Sequence, residues 1–267
     1  MACTERERRQ AYCMKTRLSV TVITKDEAPN ISRCLESVRW SDEIVVVDSG
    51  STDATIEICR AFPCRVIQSE WRGFGPMKQY AVEQASNDWI LSVDADEVVT
   101  TVLASSLSAL MQSGPSSSAF RIRRRSYYLG KPIRFSGWQH DCPIRLFDRR
   151  LGTFNDRILH ESVIVGGPVD TIRDGVLMHY PYPTISSHLV KMDRYSALAA
   201  QDLFAQGRST CIPMAAARGM AKFIKMFVLR AGVLDGSAGF VLAVNSSFGV
   251  YLKYLRLWEL WHRQRST

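Results

Sequence analysis

From Leu18 onward the chain alternates short apolar runs with segments whose apolar residues recur at helical spacing. Leu18-Ser19-Val20-Thr21-Val22-Ile23 predicts a strand, and Ile31, Leu35 and Val38, following a polar turn over 25–30, predict a helix. Glu43-Ile44-Val45-Val46-Val47-Asp48 reads as a second strand, continuous in apolar residues as strands covered on both faces are. Gly50-Ser51-Thr52-Asp53 then makes a turn in which Asp53 is placed to cap a helix. Arg65-Val66-Ile67 is a third strand, a helical pattern runs from Gly75 to Ser86, and Trp89-Ile90-Leu91-Ser92-Val93 is a fourth strand that stops at Asp94-Ala95-Asp96-Glu97. This alternation predicts an α/β fold built on a parallel, right-handed sheet, with ligands beyond the carboxyl ends of its strands.

Past a surface loop at 114–118 the pattern is less regular. Ala119 to Arg125 and Pro143-Ile144-Arg145-Leu146-Phe147 predict strands of a mixed sheet edge. From about Thr184 the pattern is helical to the end, with breaks at Cys211-Ile212-Pro213 and over 232–239. The expected organisation is an N-terminal extension (1–17), an α/β domain (18–183) and a C-terminal helical appendage (184–267).

Composition narrows the class. With 267 residues, 46% hydrophobic and 22% charged, disorder and fibrous repeats are excluded, and the formal charge of +8 points to an anionic partner: nucleic acid, phosphorylated glycan or membrane surface. Seven scattered Cys without a Cys-x-x-Cys pair argue against a zinc site and a disulfide framework and suit a reducing cytosol. No apolar leader precedes Leu18, and no run reaches the roughly 18 apolar residues of a spanning helix. The nearest, 238–252, contains Asn245, Ser246 and Ser247, so no transmembrane segment is expected.

The chemistry concentrates at strand ends. Asp94-x-Asp96, directly after an apolar strand, can present two carboxylates to one cleft and supply hard oxygen ligands to Mg²⁺ or Mn²⁺ holding a diphosphate. A solvated acidic turn or helix cap is the plainer alternative for that triplet alone. Thr24, Asp26 and Glu27 follow the first strand, and Asp48 with Ser49, Gly50 and Ser51 follows the second. Carboxylates there can accept the imide N–H of uracil or bind ribose hydroxyls. Neither a Gly-x-x-x-x-Gly-Lys-Ser/Thr loop nor a Gly-x-Gly-x-x-Gly turn is present, so phosphate handling falls to a metal and side chains.

Val22-Ile23-Thr24-Lys25-Asp26-Glu27, Val46-Val47-Asp48-Ser49-Gly50-Ser51-Thr52-Asp53 and Asp94-Ala95-Asp96-Glu97, in that order, resemble the nucleotide-sugar signature of family 2 glycosyltransferases with the GT-A fold. Ser136-Gly137-Trp138, Arg145-Leu146-Phe147, Leu159-His160-Glu161, His179-Tyr180 and Lys253-Tyr254 with Trp258-Glu259 resemble, more narrowly, the bacterial lipopolysaccharide core β-1,4-glucosyltransferase group. Members of the family more usually carry Asn where this chain has Asp26. The resemblance implies a GT-A, mostly parallel sheet with helices on both faces. It implies that Thr24, Glu27 and Asp48 contact uridine, Asp94 the ribose or metal, and Asp96 the metal. An inverting transfer also needs a carboxylate to take the acceptor proton; the candidates are Glu161, preferred, and Asp141 in the segment Trp138-Gln139-His140-Asp141. His179 is a further candidate metal ligand by the same resemblance, with a buried structural role as the alternative.

The expected activity is transfer of a hexose, glucose by resemblance, from a UDP-sugar to a hydroxyl of a lipopolysaccharide core or other lipid-linked glycan, with a divalent metal as cofactor. The alternative is a non-catalytic nucleotide-sugar or nucleic-acid binding module working through Arg121, Arg123, Arg124 and Arg125. No aromatic residue is interleaved in that run as a stacking platform requires, so no specific nucleic acid is expected. Two basic, aromatic-rich C-terminal segments lead to the expectation of a peripheral enzyme on an anionic surface, the cytoplasmic face of the inner membrane. Asp96→Asn is expected to remove activity, whereas Glu97→Gln, one residue outside the triplet, is expected to be tolerated far better.

Overall fold

The computed structural model of the chain describes residues 15–156 and 161–266. Most of the expected N-terminal extension, and Leu159 and His160 of the Leu159-His160-Glu161 motif, lie outside the described residues. The chain divides into two compact units, 1–124 with 142–179, and 125–141 with 180–267. The helical unit therefore includes 125–141 in addition to the segment from Tyr180 onward, where the sequence pattern suggested one C-terminal stretch.

The first unit opens with β1 (Leu18–Thr24), α1 (Ala28–Val38), β2 (Glu43–Asp48), α2 (Thr55–Arg60), β3 (Arg65–Gln68), α3 (Phe74–Gln84) and β4 (Trp89–Asp94). β5 (Glu97–Val99), α4 (Thr101–Ser113), β6 (Ala119–Tyr128), β7 (Lys131–Pro132), β8 (Ile144–Asp148), β9 (Gly152–Phe154), β10 (Val163–Val165) and β11 (Val169–Tyr182) follow, with β6 and β11 running on into the second unit and β7 lying within it. The main sheet runs β3-β2-β1-β4-β8-β6-β11-β5. Its β3-β2-β1-β4 half is parallel, and β8 joins β4 antiparallel, so the sheet is mixed.

Period-two alternation explains the layers. Ile44 and Val46 face a core that includes Ile31, Leu35 and Val38 of α1 and Leu103, Leu107 and Met111 of α4. Val45 and Val47 face the other way, onto Met77 and Ala81 of α3. One strand thus needs both its faces covered, which is why it reads as an unbroken apolar run. On β11, Gly175 has φ +85°, and a Cβ there would lie 2.4 Å from the Leu103 backbone nitrogen, so only glycine fits this approach of strand to helix.

The register decides what meets at the strand ends. Thr24 pairs with Asp48, and Ile23 with Asp94, so the last residues of β1, β2 and β4 lie side by side. The chain winds outward from β1 through β2 to β3 and then returns to β4 on the other side of β1. A crevice opens at such a reversal in parallel α/β sheets.

The second unit contains α5 (Ile185–Ala205), α6 (Ile212–Ile224), a π-helical turn over Lys225–Leu229, a 3-10 turn over Gly232–Asp235 and α7 (Gly236–Ser266). Thr184 and Ser187 form a reciprocal capping box at the start of α5. Asp235 accepts hydrogen bonds from the Arg134 and Phe135 backbone N–H groups, at 2.9 and 3.1 Å, and from the Ser136 hydroxyl, fastening the 134–136 loop to the break before α7. The polar residues 245–247 do not interrupt α7. Asn245 donates to the Tyr128 hydroxyl at 3.2 Å, and Ser247 donates to the Gly219 carbonyl at 2.7 Å, so each meets a partner inside the unit. Contrary to the sequence expectation, the continuous 232–264 helical stretch is long and apolar enough, by length and composition, to cross a membrane.

His188 of α5 is buried against the ends of β6 and β11, its Nδ1 2.9 Å from the Tyr128 hydroxyl and its ring stacked on Tyr182 at 4.0 Å. Burial pushes its pKa down to about 4. The unfolded imidazole, near 6.5, binds a proton that the folded one refuses, so this stabilisation is complete above about pH 6.5 and is lost as the pH falls through about 4. Urea unfolding of the wild type should therefore lose about 2 kcal/mol between pH 7 and pH 5, and His188→Gln should flatten that step. Equal pH dependence in the two proteins would show that the imidazole is not held neutral.

Candidate active site

The crevice at the ends of β1, β2 and β4 is built first by loops that staple each other. Asp26, at φ +52°, accepts from the Thr52 backbone N–H at 2.7 Å, while its own N–H donates to Ser51 Oγ at 2.8 Å. Asp and Asn are the side chains that best tolerate this left-handed conformation, so the Asp at this position preserves what the usual Asn supplies. The N-cap position of α2 falls on Ala54, not on Asp53 as the sequence suggested; Asp53, one residue earlier, accepts from the Thr55 N–H at 3.0 Å with one oxygen and from the Ala28 N–H at 3.1 Å with the other, tying the starts of α2 and α1 together.

The proposed nucleoside contacts sit within this frame. Asp48 is fully buried; Oδ2 accepts from the Gly50 and Ser51 N–H groups, each at 2.9 Å, and Oδ1 from the Ser51 hydroxyl. A carboxylate has about four lone-pair positions, so the turn leaves Asp48 room for one more donor. Glu27 accepts from Asn30 Nδ2 at 2.7 Å at the start of α1. Thr24 is buried, and its hydroxyl has no hydrogen-bond partner, a polar atom awaiting one at the strand end.

An ion network forms the floor. Asp94 Oδ1 lies 2.7 Å from Lys78 Nζ, and Oδ2 lies 2.6 Å from an Arg145 nitrogen, with Arg124 at 3.9 Å. Burial alone would raise the Asp94 pKa, but Arg145, Lys78 and Arg124 overcome it and hold the carboxyl well below its usual range. Glu97 is fully buried; Oε1 meets Arg145 at 2.5 Å and Arg124 at 3.0 Å, and Oε2 accepts from the Asp94 N–H at 2.9 Å. The same Lys78 ammonium lies 2.7 Å from Glu161 Oε1.

Asp96 lies beside His179, whose Nε2 is 3.6 Å from Oδ1. The antiparallel register of β11 on β5, with His179 opposite Glu97, places the imidazole there. Burial, with the charge of Arg124, lowers the His179 pKa against the pull of Asp96, Glu97 and Asp94, which favours the neutral imidazole that a metal ligand requires. Among the described residues no three His, Cys, Asp or Glu side chains come together as a closed metal shell. An ion shared with a diphosphate does not need one, since Mg²⁺ keeps waters and substrate oxygens and takes only one or two protein carboxylates. Asp96 and His179 fit that open arrangement. Both Asp94 oxygens already face cations, so Asp94 fits the charge network better than a metal shell.

Of the sequence candidates, Thr24, Glu27, Asp48, Asp94, Asp96, Glu161 and His179 all belong to the first unit, and Asp141 to the second. Sequence reasoning missed Lys78 and Arg145 as site residues. Their signal was a charge at an inward position: Lys78 among the buried residues Met77, Ala81 and Val82 of α3, and Arg145 in β8 beside Leu146 and Phe147. The Arg cluster on β6 divides by strand alternation, with Arg121, Arg123 and Arg125 exposed and Arg124 turned toward Glu97.

Residues 19–164 match the family described as Glycosyl transferase family 2. The chain belongs to that family. This glycosyltransferase is 30% identical over 94% of its length to an uncharacterized glycosyltransferase of Rickettsia typhi, covering 90% of that protein. It is 27% identical, over 92% of its length and 93% of the relative's, to the lipopolysaccharide core biosynthesis glycosyltransferase LpsC of Rhizobium meliloti. A mannosyltransferase of Pyrobaculum calidifontis, solved in complex with GDP-Man and Mn²⁺, shares the fold with TM-score 0.54 at 19% identity, covering 93% of this chain and 89% of that one. The glycosyltransferase thus has the expected GT-A architecture and is an enzyme, which removes the binding-module alternative.

Glu97 now reads differently from its position outside the acidic triplet. Glu97→Gln should destabilise the glycosyltransferase by about 3–5 kcal/mol, because it leaves Arg145 and Arg124 facing a neutral amide in a buried site. Asp26→Asn, which keeps both the left-handed backbone and the acceptor for Thr52, should change stability by less than about 1 kcal/mol. Chemical denaturation of the two variants checks this, and equal stability would remove Glu97 from its structural role.

Proposed function

We propose that the enzyme transfers a hexose, glucose by its resemblance, from a UDP-sugar to a hydroxyl of a lipopolysaccharide core or other lipid-linked glycan, with inversion. The similarity to LpsC over nearly the whole of both chains supports the acceptor class. The observation that carries the chemistry is the Lys78 bridge, 2.7 Å from the donor-side Asp94 and 2.7 Å from the acceptor-side Glu161. One buried ammonium fixes both carboxylates against the same strand end.

In this reading Thr24, Glu27 and Asp48 hold the uridine, with the unsatisfied Thr24 hydroxyl completing its hydrogen bonding on the nucleoside. Asp94, pinned by Lys78 and Arg145, faces the ribose as a fixed acceptor. Asp96 and His179 would hold the divalent ion, Mg²⁺ or Mn²⁺. When bound, the ion offsets the charge of the departing diphosphate. Lys78, Arg124 and Arg145 add positive potential on the same side. Glu161 takes the proton from the acceptor hydroxyl as its oxygen attacks the anomeric carbon, and the bond from that carbon to the diphosphate oxygen breaks. Asp141, in the second unit, is the reserve candidate for the base. The enzyme works as a peripheral protein on the cytoplasmic face of the inner membrane, where its lipid-linked acceptor lies.

UDP release from a panel of UDP-sugars, with and without lipopolysaccharide core acceptor, tests the reading. Glu161→Gln should lower turnover about 10²–10⁴-fold with donor affinity nearly intact, while Asp141→Asn stays close to wild type. Asp96→Asn should abolish transfer and weaken Mn²⁺ binding measured directly by calorimetry in the presence of UDP. Full turnover by the Asp96 variant or after exhaustive chelation overturns the metal-dependent mechanism, and the Glu161 phenotype appearing only in the Asp141 variant reassigns the base.

A further inference from the structure

The second unit leaves an unusual surface uncovered. Ala215 and Gly219 of α6 and Met226 of the π-helical turn after it pack inward, and Gly219 sits so close to α7 that a Cβ there would lie 3.2 Å from the Ser247 carbonyl. Met220 and Ile224, four apart on α6, and Val228 in the π-helical turn that follows are exposed apolar residues, and Arg218 and Lys225 are exposed cations of the same stretch, with Lys222 half-buried between them. The apolar flank continues onto α7. Phe223, Phe227 and Phe240 pack ring against ring at 5.3–6.1 Å, and Phe240, Val244 and Phe248, spaced by four, are all exposed. At the turn between the helices Leu229 is 74% exposed and Leu234 66%. In the first unit only Val102, Leu151, Ile164 and Val169, scattered in sequence, are exposed large apolar residues among those described.

The basic flank is equally organised. Arg218 donates to the Tyr254 hydroxyl at 3.0 Å and lies 4.4 Å from that ring's centre, with Lys253 Nζ at 4.6 Å from the same ring. Burial lowers the Lys222 pKa, and the neighbouring charges of Lys225 and Lys253 lower it further. From Cys211 to Leu234 the sequence contains no Asp or Glu. A second copy of this face would therefore bring its own cations and no acid to meet them. The matching partner is apolar in depth and anionic at its surface.

We infer that the exposed flank of α6, the 229–234 turn and the Phe240-Val244-Phe248 edge of α7 form a docking face for an anionic phospholipid bilayer. The α6–α7 hairpin lies in the plane of the interface, with Met220, Ile224, Val228 and the turn in the acyl region and Arg218, Lys225 and Lys253 at the lipid phosphates. This deepens the peripheral-membrane reading above and rests on it, but not on the assignment of donor or base. α7 packs along α5 and α6 through Arg256 to Asp193 and Ser247 to Gly219, so in this arrangement it lies on the membrane with its own unit and does not cross it.

Flotation of the full chain with phosphatidylglycerol-containing vesicles and with phosphatidylcholine vesicles tests the face, alongside transfer to a delipidated core oligosaccharide. The wild type should float with the anionic vesicles at low salt and be released by high salt or alkaline carbonate. Ile224→Glu with Val228→Glu should abolish flotation, and Arg218→Glu with Lys225→Glu should weaken it roughly tenfold or more. Both double variants should keep wild-type circular dichroism and wild-type transfer to the delipidated acceptor. Wild-type protein that stays unbound, variants that float like wild type, or binding that resists carbonate because α7 spans the bilayer, each overturn the inference. So does sedimentation showing a dimer that Ile224→Glu dissociates while flotation is unchanged. Loss of transfer in the wild type with flotation intact would instead count against the proposed reaction and leave the docking face standing.

Discussion

The arrangement around the end of β4 depends on charge compensation inside the protein. Glu97 has no exposed side-chain surface, and an isolated carboxylate so placed would be driven to its neutral form by desolvation. Arg145, almost equally buried, would be as unfavourable alone. Each makes the other tolerable, and the pair fixes the Asp94 backbone through the Glu97 bond to its N–H, so the acidic turn takes one conformation. Arg124 and Lys78 extend this to Asp94 and Glu161. Buried ion pairs of this kind add little net stability compared with apolar packing, whereas breaking one is costly. Their consequence here is positional: a cleft that must receive a charged ligand has its own charges already held in place.

The same logic governs the loops. Asp26, Asp48 and Asp53 each receive backbone N–H donors from a neighbouring or following turn, so three carboxylates act as staples before any ligand arrives. Carboxylate acceptors of this sort shape turns that glycine-rich phosphate loops shape through backbone conformation. The absence of a glycine cradle in the sequence thus has a structural counterpart. Rigidity at the ends of β1 and β2 comes from side chains reaching across to adjacent loops, and positive potential at the end of β4 comes from Lys78, Arg124 and Arg145 on three separate elements.

What the sequence made legible followed from local periodicity. The strands β1 to β4, the helices between them and the carboxyl-end location of Thr24, Asp48 and Asp94 come from apolar runs and their polar terminators, signals contained within a few residues. Lys78 and Arg145 escaped because their meaning lies in long-range pairing. A lysine in Pro76-Met77-Lys78-Gln79 looks like an ordinary helix-surface residue until α3 is known to cover the β2 face, and then its burial demands acidic partners that are 16 and 83 positions away. The burial of Glu97 escaped for the same reason. It follows an acidic triplet in sequence, and only the pairing of the three-residue strand β5 with β11 carries it inward opposite His179. The mixed sheet edge was legible in outline from the segments that became β6 and β8, but its pairing was not, since β8 buries four consecutive residues, Arg145 among them, and β6 presents Arg121, Arg123 and Arg125 on one face and Arg124 on the other.

In the second unit the order of inference reverses, because what is exposed there is more telling than what is buried. A soluble helix normally turns its apolar stripe inward and its charges outward. α6 has an inward stripe of small residues, Ala215 and Gly219, which brings α7 close, and a second apolar stripe that no part of its own unit covers. Small residues inside and large ones outside invert the usual distribution. Such a helix is stable in its own fold through close backbone packing, while Met220, Ile224 and Val228 remain in water at a free-energy cost of roughly 1.5–3 kcal/mol for each side chain that could otherwise be fully buried. The cationic flank sets the chemistry of what can cover them, since every basic residue adjoining the stripe must keep its charge solvated or meet an anion. Only a partner whose apolar layer lies directly beneath a layer of negative charge satisfies both flanks of α6 at the same depth.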